Sequence, residues 1–188
     1  MILALDVMGG DYAPTQLVLG AVDWVARSDD RILLVGQQEV IAQELKKSGY
    51  QGERIEIVHA SQVAEMNESP TTVVRRKKDA SMMVATRLVQ EGKADAVLSC
   101  GSTGAQMVAA IFVLGRMEGI ERPPVLATLP NHKGKHSVLI DVGANVDCRP
   151  EQLLQFALLG QIYADSVLNQ PDPVVMLLNN GSEEGKGN

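Results

Sequence analysis

Short apolar runs and stretches of helical periodicity alternate along the whole chain. Apolar, β-branched runs bounded by glycine, proline or polar residues predict strands at residues 2–7, 32–35, 55–58, 96–99, 125–129, 138–140 and 174–178. Between them, helical spacing of apolar positions predicts helices at residues 14–25, 37–47, 70–76, 81–91, 104–117 and 150–168. Because short buried strands separated by helices form parallel sheets covered on both faces, the pattern predicts an α/β protein: a mostly parallel sheet in a three-layer α/β/α arrangement.

The domain organisation follows from length and from the end of the pattern. The 188 residues show no internal repeat and no linker, so we expect a single α/β domain over residues 1–188. The predicted strand at residues 174–178 leads into a glycine-rich segment at residues 181–188, with no further helix. Such a loop ordinarily delivers the chain to another element, so we expect this domain to be incomplete at its C-terminal end.

Composition and charge narrow the classes of function. The net charge of −6 argues against a nucleic-acid binder that depends on a general positive field. The longest apolar run, residues 107–114, is too short to span a bilayer, and Asp6 interrupts the N-terminal stretch that a signal peptide would need. Cys100 and Cys148 form no Cys-x-x-Cys pair, which fits a reducing compartment. We therefore expect a cytoplasmic protein.

Four predicted loops at strand ends combine glycine with Asn, Asp, Ser or Thr, at residues 6–11, 100–105, 141–147 and 179–188. Such loops lie at one edge of an open parallel sheet, where ligands bind. Glycine lets backbone N–H groups approach an anion, and a helix N-terminus adds partial positive charge. The pattern predicts a phosphate-type site. The ordinary alternatives are a tight turn at Gly9 and Gly10, a helix cap at Ser102 and a solvated Lys186.

Familiar cofactor and metal motifs are missing from the sequence. No Gly-x-Gly-x-x-Gly follows the first predicted strand, and residues 181–186 are one residue short of Walker A spacing. No Gly-x-Ser-x-Gly elbow is present. His132 and His136 lie four residues apart without nearby acidic ligands. We therefore expect no metal and no cofactor.

The segment Arg75-Arg76-Lys77-Lys78 is the only dense positive patch of this acidic chain. It is either a solvated helix surface or a dock for an acidic protein partner, which positive charge would steer toward it. The sequence leaves both interpretations open.

Six segments carry a joint pattern, at residues 5–14, 100–105, 119–123, 141–148, 153–157 and 183–188. In order, and over essentially the whole chain, they resemble the PlsX family of bacterial phosphate acyltransferases. The resemblance implies a fold similar to phosphotransacetylases and isocitrate dehydrogenase-like enzymes. It also implies a reaction in which acyl-acyl-carrier-protein and inorganic phosphate give acyl phosphate and free carrier protein, an early step of bacterial phospholipid synthesis.

The resemblance and the loops together suggest roles for individual residues. We expect Lys186 to supply charge to phosphate or an oxyanion, Asn145 to donate a hydrogen bond to one of them, and Asp141 to orient a neighbouring group. The expected phosphate site comprises Asp6, Gly9, Gly10, Gly101, Ser102, Thr103, Gly104, Gly143 and Asn188. The expected dock for acyl carrier protein comprises Arg75, Arg76, Lys77 and Lys78.

Departures from the family pattern accompany the resemblance. Ser102 stands where the family usually has Asn, and residues 180–182 also differ. The family pattern continues beyond Asn188 into segments associated with dimerisation and membrane contact. We therefore expect a homodimer with peripheral membrane association in the full-length protein, and no activity from this chain alone. The alternatives are a phosphotransacetylase-type enzyme that uses acyl-coenzyme A, a metal-dependent hydroxyacid dehydrogenase and a non-catalytic module that binds a carrier protein.

Overall fold

The computed structural model describes residues 1–145, 147–179 and 181. They fall into two compact units, Met1–Met117 and the described part of Glu118–Asn188. We call these unit 1 and unit 2 and describe each by itself. The expectation of a single domain stays a prediction.

Unit 1 is built on a four-stranded, wholly parallel sheet in the order β3-β2-β1-β4. Its strands are β1 (Ile2–Asp6), β2 (Arg31–Gly36), β3 (Ile55–His59) and β4 (Ala96–Ser99). Its helices are α1 (Thr15–Arg27), α2 (Gln38–Ser48), α3 (Pro70–Arg76), α4 (Ser81–Gln90) and α5 (Thr103–Val113). These elements confirm the strands and helices predicted over this part of the sequence, with ends shifted by a few residues.

Apolar side chains cover both faces of this sheet, because successive strand residues point to opposite sides. Leu5 and Leu34 pack on one face with Val18 of α1 and Ile41 of α2. Ala4, Leu33 and Val35 pack on the other face with the α4 residues Val84, Ala85 and Leu88. The sheet therefore lies between two helical layers, which confirms the three-layer α/β/α prediction.

The strand order creates a switch point between β1 and β4. The chain moves from β1 to β2 and β3 on one side, and then returns to add β4 on the other side of β1. In open α/β sheets, a crevice for ligands opens at the carboxyl ends of the two strands where the direction of winding reverses. In this protein, the loops that follow β1 and β4 lie at that position.

Unit 2 contains an antiparallel hairpin. Strands β5 (Leu126–Pro130) and β6 (His136–Ile140) pair with each other, in register from Leu126 opposite Ile140 to Pro130 opposite His136. Only five residues connect them, whereas parallel neighbours require a crossover of about a dozen. Both strands were predicted from the sequence, and the short connection between them indicates that they pair as a hairpin.

Helix α6 (Pro150–Ser166) follows the hairpin, as predicted. At its start, the buried Gln152 side chain accepts a hydrogen bond from the Arg149 backbone N–H at 2.9 Å. Arg149 also forms an ion pair with Glu121. Along its exposed side, Leu154, Leu158 and Ile162 recur at four-residue spacing. Within the described part of the chain, none of the helices combines the length and apolar character that crossing a bilayer requires.

The predicted seventh strand at residues 174–178 is wrong. The segment has no paired strand among the described residues, and its five apolar side chains are between 53% and 87% exposed. Apolar, β-branched sequence favours an extended segment, but a strand also needs a neighbour that accepts and donates its backbone hydrogen bonds.

Candidate functional site

A buried carboxylate joins the ends of β1 and β4. Asp6, only 1% exposed, accepts a hydrogen bond from the Met8 backbone N–H at 3.1 Å through Oδ1. Its Oδ2 accepts the Ser99 hydroxyl at 2.8 Å, and Ser99 Oγ in turn accepts the Gly101 backbone N–H at 3.1 Å. Asp6 and Ser99 are direct partners in the parallel register of the two strands. A chain of three hydrogen bonds therefore fixes both loops at the switch point.

Glycines let the two loops pack backbone against backbone. A Cβ on Gly9 would lie 2.9 Å from both Asp6 Oδ2 and the Gly101 Cα atom, which is closer than real Cβ atoms approach. Gly10 has φ +116° and lies against Cys100. The loops predicted to share one site are thus in direct contact, and a side chain at either position would separate them.

Helix α5 begins at this junction. Ser102 is the N-cap, and its Oγ accepts the Ala105 backbone N–H at 3.4 Å. The hydroxyl proton remains a donor. The amides of Thr103 and Gly104 occupy the first turn and have no acceptor within the helix. The helix dipole adds partial positive charge at this end. The start of α5 therefore offers backbone amides and two hydroxyls, a donor set suited to a small anion.

In unit 2, Asp141 organises the loop that follows β6. Its Oδ1 accepts backbone N–H groups from Val125 at 2.9 Å, Gly143 at 3.3 Å and Ala144 at 3.1 Å. Burial raises the pKa of this carboxyl, but hydrogen bonds from Val125, Ala144 and Asn145 outweigh burial and hold the pKa below its ordinary value. Asp141 is therefore an ionised anchor for its loop, which is consistent with the expected orienting role.

Asn145 is held on both sides. Its backbone N–H donates to Asp141 Oδ2 at 2.7 Å, and its Nδ2 donates to the same oxygen at 2.8 Å and to the Pro123 carbonyl at 3.3 Å. A side-chain amide has two N–H donors, and these two acceptors use both. Donation from Asn145 to an oxyanion would require one of these hydrogen bonds to exchange. The catalytic role of Asn145 stays a prediction.

The basic segment divides into two kinds of residue. Arg75, Arg76 and Lys78 are exposed and form no ion pair within residues 1–145, 147–179 and 181. Lys77 is different, because its Nζ donates to the Val63 carbonyl at 2.8 Å and to Glu68 Oε2 at 2.6 Å. The Lys77 hydrogen bond, followed by the Glu65 backbone N–H, holds the pKa of Glu68 below its ordinary value. Lys77 therefore ties α3 to the preceding loop, and three cations remain on the surface.

The structure brings together part of the predicted site. Unit 1 assembles Asp6, Gly9, Gly10, Gly101, Ser102, Thr103 and Gly104 around the switch point, and unit 2 assembles Asp141, Gly143 and Asn145 in one loop. Lys186 and Asn188 lie outside the described residues. Sequence reasoning missed Ser99. Its importance follows from the strand register opposite Asp6, which no linear motif displays.

The fold is that of a doubly wound α/β/α protein, with hydrogen-bond donors suited to a small anion at its switch point. A search of solved structures agrees with this fold. The crystal structure of a phosphotransacetylase from Streptococcus pyogenes matches with a TM-score of 0.69 at 18% sequence identity, covering 98% of this chain and 60% of that one. A match at this identity shows the fold alone, and it confirms the phosphotransacetylase-like fold that the resemblance implied.

The chain belongs to the family described as fatty acid synthesis protein, whose model matches residues 1–188. Curated relatives agree. This chain is 62% identical to a phosphate acyltransferase of Syntrophomonas wolfei, over 100% of this chain and 59% of that protein. It is 52% identical to a phosphate acyltransferase of Desulforamulus reducens over 99% of this chain and 55% of that protein. The chain thus spans little more than half the length of these relatives.

Proposed function

We propose that this chain is the N-terminal part of a phosphate acyltransferase that moves an acyl group from acyl carrier protein to inorganic phosphate. A phosphate oxygen attacks the thioester carbonyl, the new C–O bond forms, the C–S bond breaks, and the carrier thiolate takes up a proton. The products are acyl phosphate and free carrier protein, which would feed phospholipid synthesis. The observation that carries the proposal is the set of hydrogen-bond donors at the N-terminus of α5, in a chain whose curated relatives are named phosphate acyltransferases.

The first turn of α5 supports phosphate binding through neutral donors. The Thr103 and Gly104 amides and the Ser102 and Thr103 hydroxyls compensate the anion while phosphate remains nucleophilic. Positioning of phosphate against the thioester supplies a large part of the rate, because orientation alone lowers barriers strongly. Lys186 keeps its proposed role as the cation of the site, and Asp141 keeps its proposed role of holding the loop of Gly143 and Asn145.

A hydroxyl deletion tests the phosphate site. In the full-length protein, Thr103→Val removes one donor and keeps the side-chain shape, so we expect the KM for phosphate to rise about tenfold, the cost of one hydrogen bond to a charged group. Thr128→Val, at an exposed position of β5, is the matched control and should leave this KM unchanged. Formation of acyl phosphate is followed by ³¹P NMR. Equal KM values for wild type and Thr103→Val would remove Thr103 from the site.

The proposed cation is tested separately. Lys186→Ala in the full-length protein should reduce acyl phosphate formation by at least about a hundredfold, because a charge that meets a developing oxyanion contributes roughly 3 kcal/mol. Lys133→Ala, at an exposed turn position, is the control. Turnover close to that of wild type in Lys186→Ala would contradict the assigned role.

The alternative favoured by a specific observation is a phosphotransacetylase-type reaction, because the matched solved structure carries that name. Such an enzyme takes its acyl group from coenzyme A. An assay of the full-length protein with the same acyl group on acyl carrier protein and on coenzyme A distinguishes the two reactions. We expect a kcat/KM at least about tenfold higher with the carrier protein, since a docking surface adds binding energy that coenzyme A lacks. Binding of acyl carrier protein without formation of acyl phosphate from either donor would indicate a non-catalytic module.

The three exposed cations are the proposed dock for acyl carrier protein. Acidic partners meet basic patches mainly through long-range attraction, which falls with ionic strength. Arg75→Glu together with Arg76→Glu should raise the KM for the acyl carrier substrate several-fold at low salt and leave the KM for phosphate unchanged. Lys46→Glu, which reverses one exposed charge on α2, is the control. An unchanged carrier KM in the double variant would place the dock elsewhere.

The remaining features of the proposal rest on the family resemblance. We propose a cytoplasmic homodimer that associates peripherally with the membrane through segments beyond Asn188. Light scattering of the full-length protein tests the dimer, and sedimentation with anionic lipid vesicles tests the membrane association. A monomer, or a protein that stays in the supernatant, would contradict the respective part.

A further inference from the structure

We propose that Ser99 is a positioning residue of the phosphate site, which holds Gly101 and hence the first turn of α5 in the orientation that binds phosphate. The inference rests on the proposed function and adds a residue to it. It arises from the hydrogen bonds at the switch point, where Ser99 is the only link between the Asp6 carboxylate and the Gly101 amide in the described part of the chain.

Ser99 uses its hydroxyl in both directions. The hydroxyl donates a hydrogen bond to Asp6 Oδ2 at 2.8 Å, and its oxygen accepts a hydrogen bond from the Gly101 N–H at 3.1 Å. Donation to a carboxylate polarises the hydroxyl and strengthens it as an acceptor, because hydrogen bonds in a chain reinforce one another. Met8 occupies the other carboxylate oxygen through its backbone N–H. The end of β1 thereby sets the position of the loop after β4.

The same contacts assign Asp6 a positioning role in place of the phosphate contact expected from the sequence. Both carboxylate oxygens are engaged within the protein, and Asp6 is buried at 1% exposure. Gly101 directs its amide toward Ser99, so this amide does not serve the ligand. Asp6 and Ser99 therefore influence phosphate binding indirectly, by positioning the loop that follows β4.

The loop is short enough to transmit the effect. Only Ser102 separates Gly101 from Thr103, and the Thr103 amide is the first of the proposed phosphate donors in α5. Close packing of Gly9 on Gly101 leaves the loop little freedom on its other side. Release of the Gly101 amide therefore changes the direction of the Thr103 amide, and displacements of about 1 Å at such sites reduce rates strongly.

Kinetics of the full-length protein test the proposal. Ser99→Ala should raise the KM for phosphate about tenfold, leave the KM for the acyl carrier substrate within about twofold, and retain the fold. Ser99→Thr keeps the hydroxyl and should restore the phosphate KM. The matched control is Ser48→Ala, because Ser48 Oγ likewise donates to a carbonyl, that of Leu45, and accepts an amide, that of Tyr50, at the end of α2. It should leave both KM values unchanged.

Hydrogen exchange at Gly101 gives a readout that does not depend on catalysis. Ser99→Ala should accelerate exchange of the Gly101 amide about tenfold, whereas Ser99→Thr and Ser48→Ala should not. Unchanged Gly101 exchange together with an unchanged phosphate KM in Ser99→Ala would overturn the proposal, as would a failure of Ser99→Thr to restore the KM. If the wild type made no acyl phosphate, the proposed function would fail, while exchange would still decide whether Ser99 holds the loop.

Discussion

At the scale of single residues, Gly9 leaves no room for a side chain, because backbone atoms of another loop pack against it. A methyl group there would lie 2.9 Å from Asp6 Oδ2 and from the Gly101 Cα atom, which is closer than van der Waals contact allows. Gly9→Ala must therefore separate the two loops. We expect a loss of about 1–3 kcal/mol in the free energy of unfolding, as for other overpacked sites. Urea unfolding monitored by circular dichroism measures it.

Gly20 is the matched control for this glycine. It lies on the exposed side of α1, and a Cβ there would meet nothing within 4 Å. Gly20→Ala should stabilise the protein by about 0.5–1 kcal/mol, because alanine loses less backbone entropy in a helix. Destabilisation by both variants, or by neither, would show that close packing of the loops is not what requires Gly9.

Asp141 links stability to pH. Its pKa is lowered in the folded protein, so its contribution is fully present above the pKa of the unfolded chain and disappears as the pH falls through the lower, folded value. Asp141→Asn should cost about 2 kcal/mol of unfolding free energy at pH 7, the scale of hydrogen bonds to a charged group. Urea midpoints of wild type and variant should converge below about pH 4. A difference that persists unchanged in acid would exclude this mechanism.

At the scale of elements, the β5–β6 hairpin depends on its short turn. Gly134 has φ +71°, and Asn131 Oδ1 accepts the backbone N–H groups of Lys133 and Lys135 at 3.0 and 3.1 Å. Gly134→Ala should lower the unfolding free energy by about 1 kcal/mol, because a Cβ is strained in the left-handed region. Gly160→Ala within α6 is the control and should not destabilise, since its Cβ would make only an ordinary contact. Thermal melting compares the two variants.

The elements also show how far sequence patterns reach. Helices such as α1 and α4 followed directly from their periodicity, because Val18, Ala21 and Val25 must face a core whatever that core is. The pairing partners of the strands could not be predicted in the same way from the sequence pattern. Residues 138–140 and 174–178 have equally strand-like sequences, yet the first pairs in a hairpin and the second with no described strand. A strand's partner is chosen by tertiary structure, since the partner supplies its hydrogen bonds.

At the scale of the whole molecule, the boundary between units 1 and 2 is an exposed segment without regular structure. Residues 114–119 are exposed, and Gly115 and Gly119 have φ values of +85° and +82°. Proteases cut exposed backbone that can adapt to their active sites. We expect brief subtilisin treatment to cut first within this segment and to release a fragment of about residues 1–117, identified by mass spectrometry. A first cut within residues 65–69 would contradict this expectation.

The sequence by itself determined the alternation of strands and helices, the glycine loops at strand ends and the family, because these depend on local composition and order. Tertiary structure decided which loops meet. The parallel register set Ser99 beside Asp6, and the close approach of Gly9 to Gly101 joined loops that lie more than ninety residues apart. Contacts of this kind arise from strand order, and strand order is settled by packing and hydrogen bonding across the whole sheet.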